Sequence, residues 1–98
     1  MISVRSLEDY QVLDPRGETL GTVQDVLLDE TLGHARYFVV SLGGALSLHR
    51  PRYVVPAASV RLDTESEALV IDIAPERFAD AAPFEDADGA DPAAVYRI

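Results

Sequence analysis

A turn signal at residues 14–17 constrains the fold of this chain more than any other feature. Its sequence, Asp-Pro-Arg-Gly, combines a side-chain acceptor, a fixed φ and a glycine that tolerates positive φ, which is typical of a hairpin turn. Turn-forming residues also cluster at 29–33, 43–44 and 63–67. Turns at such short intervals leave room only for short elements between them. The pattern therefore predicts a mainly β fold built from hairpins.

Several segments between these turns have the composition of strands. We expect a first strand formed by Tyr10 and Val12 with the flanking Leu7 and Leu13, and further strands at residues 19–28, 34–42, 53–56, 59–62 and 68–73. In 19–28 neither set of alternate residues is purely apolar, which predicts a bulge or bend. Residues 37–40 are apolar on both faces, which predicts a strand covered on both sides. The pattern predicts an all-β barrel or sandwich of five or six short strands, with one short helical turn at 75–80.

The 98-residue length fits a single domain. We place this domain at residues 1–84 and an acidic, Ala- and Asp-rich tail at 85–98. No apolar run approaches the ~20 residues that cross a bilayer, and the first residues lack an apolar signal core. We therefore expect a cytoplasmic protein without membrane insertion. Cysteine is absent, which excludes disulfides and thiolate metal sites.

The net charge of −9 bears on the class of partner. A surface that neutralises phosphates should be basic, so direct contact with nucleic acid is not expected. Anionic membrane surfaces are disfavoured by the same repulsion. The composition points to a protein partner.

Candidate reactive groups do not assemble into a site. Asp25 and Asp29 would share a strand face at about 13 Å, wider than the ~5–9.5 Å of two-carboxylate hydrolases. A turn-starting role for Asp29 and a backbone-accepting role for Asp25 explain these residues better. His34 and His49 lack further ligands at metal-site spacing, and the acidic residues 85–91 lack the end ligands of a calcium loop. We predict no catalytic residue, no cofactor and no metal, and hence no enzyme.

One basic cluster stands out on this acidic chain: His49, Arg50, Arg52 and Tyr53. Arg beside an aromatic residue is typical of the residues that dominate binding energy at protein interfaces. The alternative is a solvated loop whose arginines balance nearby carboxylates. We keep the cluster as a possible partner-binding site.

The order and spacing of several short motifs resemble the PRC-barrel domain family, a module of the photosynthetic reaction-centre H subunit and of RimM. The resemblance covers roughly residues 4–84 and rests on Val12, the apolar strand at 37–40, the strand at 68–73 and the Ala-Pro exit near residue 83. The signature positions are Gly17, Gly21, Asp25, Asp29, Gly33 and Pro56. A small residue that is usual before Val12 is missing around Asp9-Tyr10. Neither the RNA-processing domain of RimM nor the membrane helix of the H subunit accompanies the module, so those two specific roles do not carry over.

The resemblance implies a small PRC-type β-barrel of about five or six strands that acts as a non-catalytic adaptor or assembly module. The missing reactive groups and the doubly apolar strand at 37–40 favour a protein partner, including self-association as a homodimer. Two alternatives stay open. One is a β-barrel that binds a small ligand, which requires an apolar cavity of several hundred Å³. The other is a factor associated with the ribosome or RNA processing, by analogy with RimM.

Overall fold

Short strands dominate the computed structural model, which describes residues 1–43, 52–79, 82–83 and 95–97. The strands are β1 (Gln11–Leu13), β2 (Thr19–Asp29), β3 (His34–Leu42), β4 (Arg52–Pro56), β5 (Val60–Asp63), β6 (Ala68–Ile71), β7 (Ala82–Pro83) and β8 (Val95–Arg97). Two 3₁₀ helices lie at Val4–Asp9 and Ala57–Ser59, and one short helix, α1, lies at Pro75–Ala79. The mainly β class and the helical turn near residue 75 are therefore confirmed.

In each of the three described hairpin turns, the carboxylate of an aspartate accepts hydrogen bonds from backbone N–H groups of the turn. The carboxylate of Asp14 accepts the backbone N–H groups of Arg16 and Glu18 in the β1–β2 turn, both at 2.9 Å. Asp29 and Asp63 accept the N–H groups two and three residues ahead in the β2–β3 and β5–β6 turns. An Asp that replaces a backbone acceptor in this way fixes a reversal locally. The sequence predicted the turn at 14–17 for this reason, and the turns at 29–33 and 63–67 from their clusters of turn-forming residues.

The strands form one mixed sheet in the order β5-β6-β1-β2-β3-β4-β8-β7. Most neighbours are antiparallel, while β1 with β6 and β4 with β8 are parallel. The predicted barrel is not closed in the described residues, because β5 and β7 are the two edges and no ladder joins them. Strand propensity reveals strands but not whether the first and last of them meet, which depends on tilt and stagger.

The predicted irregularity in β2 is a bulge. Val23 pairs with Val40 and Asp25 with Val39, so Gln24 is the extra residue in β2. Val23 and Val26 consequently both face the main core, although they are three residues apart. An inserted residue shifts the alternation in this way.

The core lies mainly on one face of the sheet. Its buried members are Leu7, Tyr10, Val12, Val23, Phe38, Val40, Val55, Leu69 and Ile71. A smaller cluster on the opposite face contains buried Val39 and Val54, with Leu27 and Tyr37 packed against them. β3 therefore has apolar contacts on both faces, as its sequence predicted.

Two segments differ from the sequence-based expectation. Leu7 belongs to a 3₁₀ helix and β1 is only three residues long, because the chain packs Leu7 and Tyr10 onto the core before it enters the sheet. Residues 95–97 of the predicted tail form β8, whose backbone pairs with β4. Residues 85–94 and 98 of that tail lie outside the described residues.

Candidate functional site

The predicted partner-binding cluster is only partly described. His49 and Arg50 lie outside the described residues. Arg52 is half-buried in β4. The ring of Tyr53 packs edge-on against Phe78, with ring centroids 5.1 Å apart, and contacts the main core. Tyr53 therefore contributes packing between β4 and α1, and partner binding by this cluster stays a prediction.

The signature glycines have distinct structural roles. Gly17 and Gly33 take positive φ, +88° and +70°, at the ends of the first two hairpin turns, where other residues are strained. Gly21 instead allows a close approach of β2 to β3. A Cβ at this position would clash with the carbonyl of Ser41, less than 3 Å away. Resemblance identified all three positions, but only the structure separates the two roles.

The remaining signature residues also shape the backbone. Asp25 follows the bulge and accepts the N–H of Val26 at 2.7 Å. Asp29 starts the β2–β3 turn. Pro56 ends β4 opposite Tyr37 and leads into the second 3₁₀ helix. The two carboxylates are thus engaged with the backbone, which is the structural role that the sequence favoured for them.

The far end of the β2–β3 hairpin extends beyond its neighbours in the sheet. On one side β1 pairs with β2 only between Thr19 and Thr22. On the other side β4 pairs with β3 only from Tyr37 onward. We call residues 28–36 the hairpin tip. Among the described strands none pairs with the outer edges of this tip, so it is a two-stranded ribbon held by its own ladder.

Two leucines on the hairpin tip are largely exposed. Leu28 has 59% of its surface accessible and Leu32 has 68%. Most apolar side chains of the described strands are buried or partly buried, so the exposure of these two leucines is an exception. The sequence carried a signal for Leu32, because an apolar residue inside a polar five-residue reversal cannot reach a core. Leu32 was nevertheless not among the residues predicted to bind a partner.

Charged groups stabilise the hairpin tip. The carboxylate of Asp29 contacts the guanidinium of Arg36 at 3.3 Å, and that guanidinium lies 5.7 Å from the ring centroid of Tyr37. Hydrogen bonds from the backbone N–H groups of Leu32 and Thr31, with the nearby positive charge of Arg36, hold the pKa of Asp29 below its usual value. The tip is therefore ordered by its own contacts while its leucines point away from the core.

Two surface pockets bear on the ligand-binding alternative. One of about 70 Å³ lies between the first 3₁₀ helix and β2, beside Val4, Leu7 and Val26. Another of about 280 Å³ lies on the β5–β6 side and includes Arg61 and Asp72 in its lining. The larger has a mixed polar and apolar lining and is open to solvent, and the smaller is far below several hundred Å³. Neither is therefore the enclosed apolar cavity that this alternative requires.

The described residues bear on two further classes of site, metal clusters and membrane spans. Within residues 1–43, 52–79, 82–83 and 95–97, no three His, Asp or Glu side chains come together as metal ligands would. The same residues contain no helix of the length and apolarity needed to cross a bilayer.

Comparison with known proteins identifies the family of the fold. Residues 1–78 match the family model of the PRC-barrel domain. No curated protein matches the chain. Among solved structures, the fold is similar to a crystal structure of RimM from Pseudomonas aeruginosa, a candidate 16S ribosomal RNA processing protein, with a TM-score of 0.51 and 19% identity. The match covers 76% of this chain and 45% of that chain, so this chain spans less than half of that protein. At this identity the likeness shows the fold alone.

Proposed function

Because this chain belongs to the PRC-barrel domain family, we propose that it is a non-catalytic module that binds another protein through the hairpin tip. The observation that carries the proposal is the exposure of Leu28 and Leu32 on a ribbon that projects past the rest of the sheet. A contiguous exposed apolar patch with a polar rim is typical of protein contact sites, and we propose that Leu28 and Leu32 contribute to such a patch. The turn hydrogen bonds of Asp29 and its contact with Arg36 order the ribbon that presents them.

The chemistry of the tip and of the whole chain defines the partner. Its surface should offer an apolar pocket for the two leucines. It should also be basic around that pocket, because this chain carries a net charge of −9 and opposite charge accelerates encounter and favours correct partners. We place the encounter in the cytoplasm, as the sequence predicts.

A second candidate is a role associated with RNA processing. The similarity in fold to RimM favours it. Under this hypothesis the acidic chain contacts a basic protein of the RNA-processing assembly, because its charge opposes direct contact with phosphates. The same hairpin tip would make that contact.

The test compares two double variants in affinity capture from the native cell, with quantitative mass spectrometry. Leu28→Ser with Leu32→Ser removes the apolar contact of the tip. Ile2→Ser with Val4→Ser is the matched control, since both of these side chains are also exposed but lie near the first 3₁₀ helix. We expect the tip variant to lose a basic partner that the wild type and the control both retain.

Equal capture of every protein by all three forms would overturn a role for the tip. Where a partner is captured, its binding to this chain is measured with the two purified proteins, and its identity decides between the two candidate functions. A partner that is itself a ribosomal or RNA-processing protein supports the second, and a basic partner of another class supports a different assembly. Circular dichroism and thermal unfolding of the variants would show that the fold is retained.

A further inference from the structure

We propose that the β5 edge (residues 60–63) pairs antiparallel with the same edge of a second copy, in a register centred on Leu62. This inference rests on the proposed function, because it assigns a surface to the self-association of an interaction module. It uses a part of the molecule away from the hairpin tip. The two surfaces can therefore be tested independently.

The two edges of the described sheet are not equivalent. β7 has two residues, and Pro83 lacks the N–H that a neighbouring strand would need. β5 has four residues without proline, and its ladder with β6 runs from Val60 to Asp63 with no bulge. In an antiparallel pair, alternate residues direct their N–H and C=O groups away from the partner strand. β5 can therefore accept a further strand, whereas β7 is protected.

The side chains of β5 divide cleanly between the two faces of the sheet. Val60 and Leu62 are half-buried and pack against the main core. Arg61 is exposed on the other face, with Asp63 two residues further along the strand. A second strand at this edge would extend the core over the exposed parts of Val60 and Leu62.

Symmetry limits the possible registers. A two-fold axis perpendicular to the sheet keeps each face continuous, so each residue must oppose one from the same alternate set. Registers centred on Arg61 or on Asp63 place like charges opposite each other. The register centred on Leu62 places Arg61 opposite Asp63 of the second copy, and the symmetry repeats this pair. A register centred on Val60 places Arg61 opposite the uncharged Ser59. Among the registers centred on a residue of β5, only the Leu62-centred one therefore pairs residues of β5 that carry opposite charges.

The difference between the β5 and β7 edges also predicts the number of copies in the assembly. In the described part of the sheet each copy offers one competent edge, and an isologous contact uses that edge on both copies. Association through β5 therefore stops at a dimer and does not continue as a filament. The expected dimer is weak, because the paired segment is short.

The first test measures self-association by sedimentation of the wild type and of Arg61→Glu. The variant places Glu opposite Asp63 of the second copy, so we expect dimerisation to weaken about tenfold or more. Arg5→Glu is the matched control, because it makes the same charge reversal at an exposed site on the first 3₁₀ helix. An equal effect of both charge reversals would overturn the inference. So would a wild-type protein that stays monomeric at protein concentrations up to about 100 μM.

The second test reads the register directly by cross-linking. The chain contains no native cysteine, so Leu62→Cys introduces one thiol per copy. Directly opposite residues have Cβ atoms about 4.5–5.5 Å apart, within reach of a short thiol cross-linker. The control is Gln11→Cys, an exposed side chain in β1, whose two edges are paired with β2 and β6. Preferential cross-linking at residue 62 supports the register, and equal yields contradict it.

The outcome separates this inference from the proposed function. A monomeric protein that still captures a basic partner through Leu28 and Leu32 overturns the β5 dimer alone. A dimer that captures no partner through the tip overturns the proposed tip contact alone.

Discussion

The two halves of the β2–β3 hairpin lie in opposite environments, although they belong to the same pair of strands. At the base, Phe38 and Val40 are buried in the main core and β1 and β4 flank the hairpin. At the tip, Leu28 and Leu32 are exposed and the described strands leave both outer edges without a ladder. The difference teaches that the base contributes its side chains to the core, while the tip, which we propose as the contact site, contributes little to it.

The sharpest test of this comparison truncates one apolar side chain in each half. Phe38→Ala should lower the free energy of unfolding by about 3–5 kcal/mol, because it removes a buried ring and leaves a cavity. Leu28→Ala should change it by less than about 0.5 kcal/mol, because its side chain is already in water. Urea unfolding measures both values. Similar losses at the two positions would contradict the division of the hairpin.

A second test probes how tightly the base is packed. Gly21→Ala should cost about 3 kcal/mol, since the new Cβ meets the backbone of Ser41 and the strands must move apart. Gly17→Ala is the control, because nothing lies within 4 Å of its added Cβ and only the positive φ opposes it. That strain costs about 1–2 kcal/mol. If the two variants unfold at the same urea concentration, close approach is not what requires Gly21.

The smallest expected effect concerns pH and the turn of the tip. The pKa of Asp29 is lowered in the folded state, so its contribution to stability is complete above the usual carboxyl pKa and is lost as the pH falls through the folded value. Thermal unfolding at about pH 6 and about pH 3 should therefore show a smaller acid loss for Asp29→Asn than for the wild type.

Glu30→Gln provides the control for this measurement. It removes the same charge from the adjacent, exposed position and should keep the acid loss of the wild type. An Asp29 carboxyl that titrates at its usual value by NMR would contradict the proposed role of the turn in ordering the tip.

Features that depend on a few neighbouring residues could be predicted from the sequence. The Asp-initiated turns, the extent of β3 and its burial on both faces follow from local hydrogen bonding and apolar pattern. The bulge in β2 followed from a break in alternation. The candidate partner site was harder to predict from the sequence. The contact of Tyr53 with Phe78 joins residues far apart in the chain, and the exposure of Leu28 depends on where β1 and β4 end.

The sequence by itself determined the class of fold, its turns and the acidic character of the chain, because these depend on backbone preferences, short-range patterns and composition. Only the tertiary structure decided that the described sheet is open, that Gly21 packs against Ser41 and that the β2–β3 hairpin extends beyond β1 and β4. The physical reason is that each of these features is set by the relative positions of strands far apart in the chain, which no local pattern specifies.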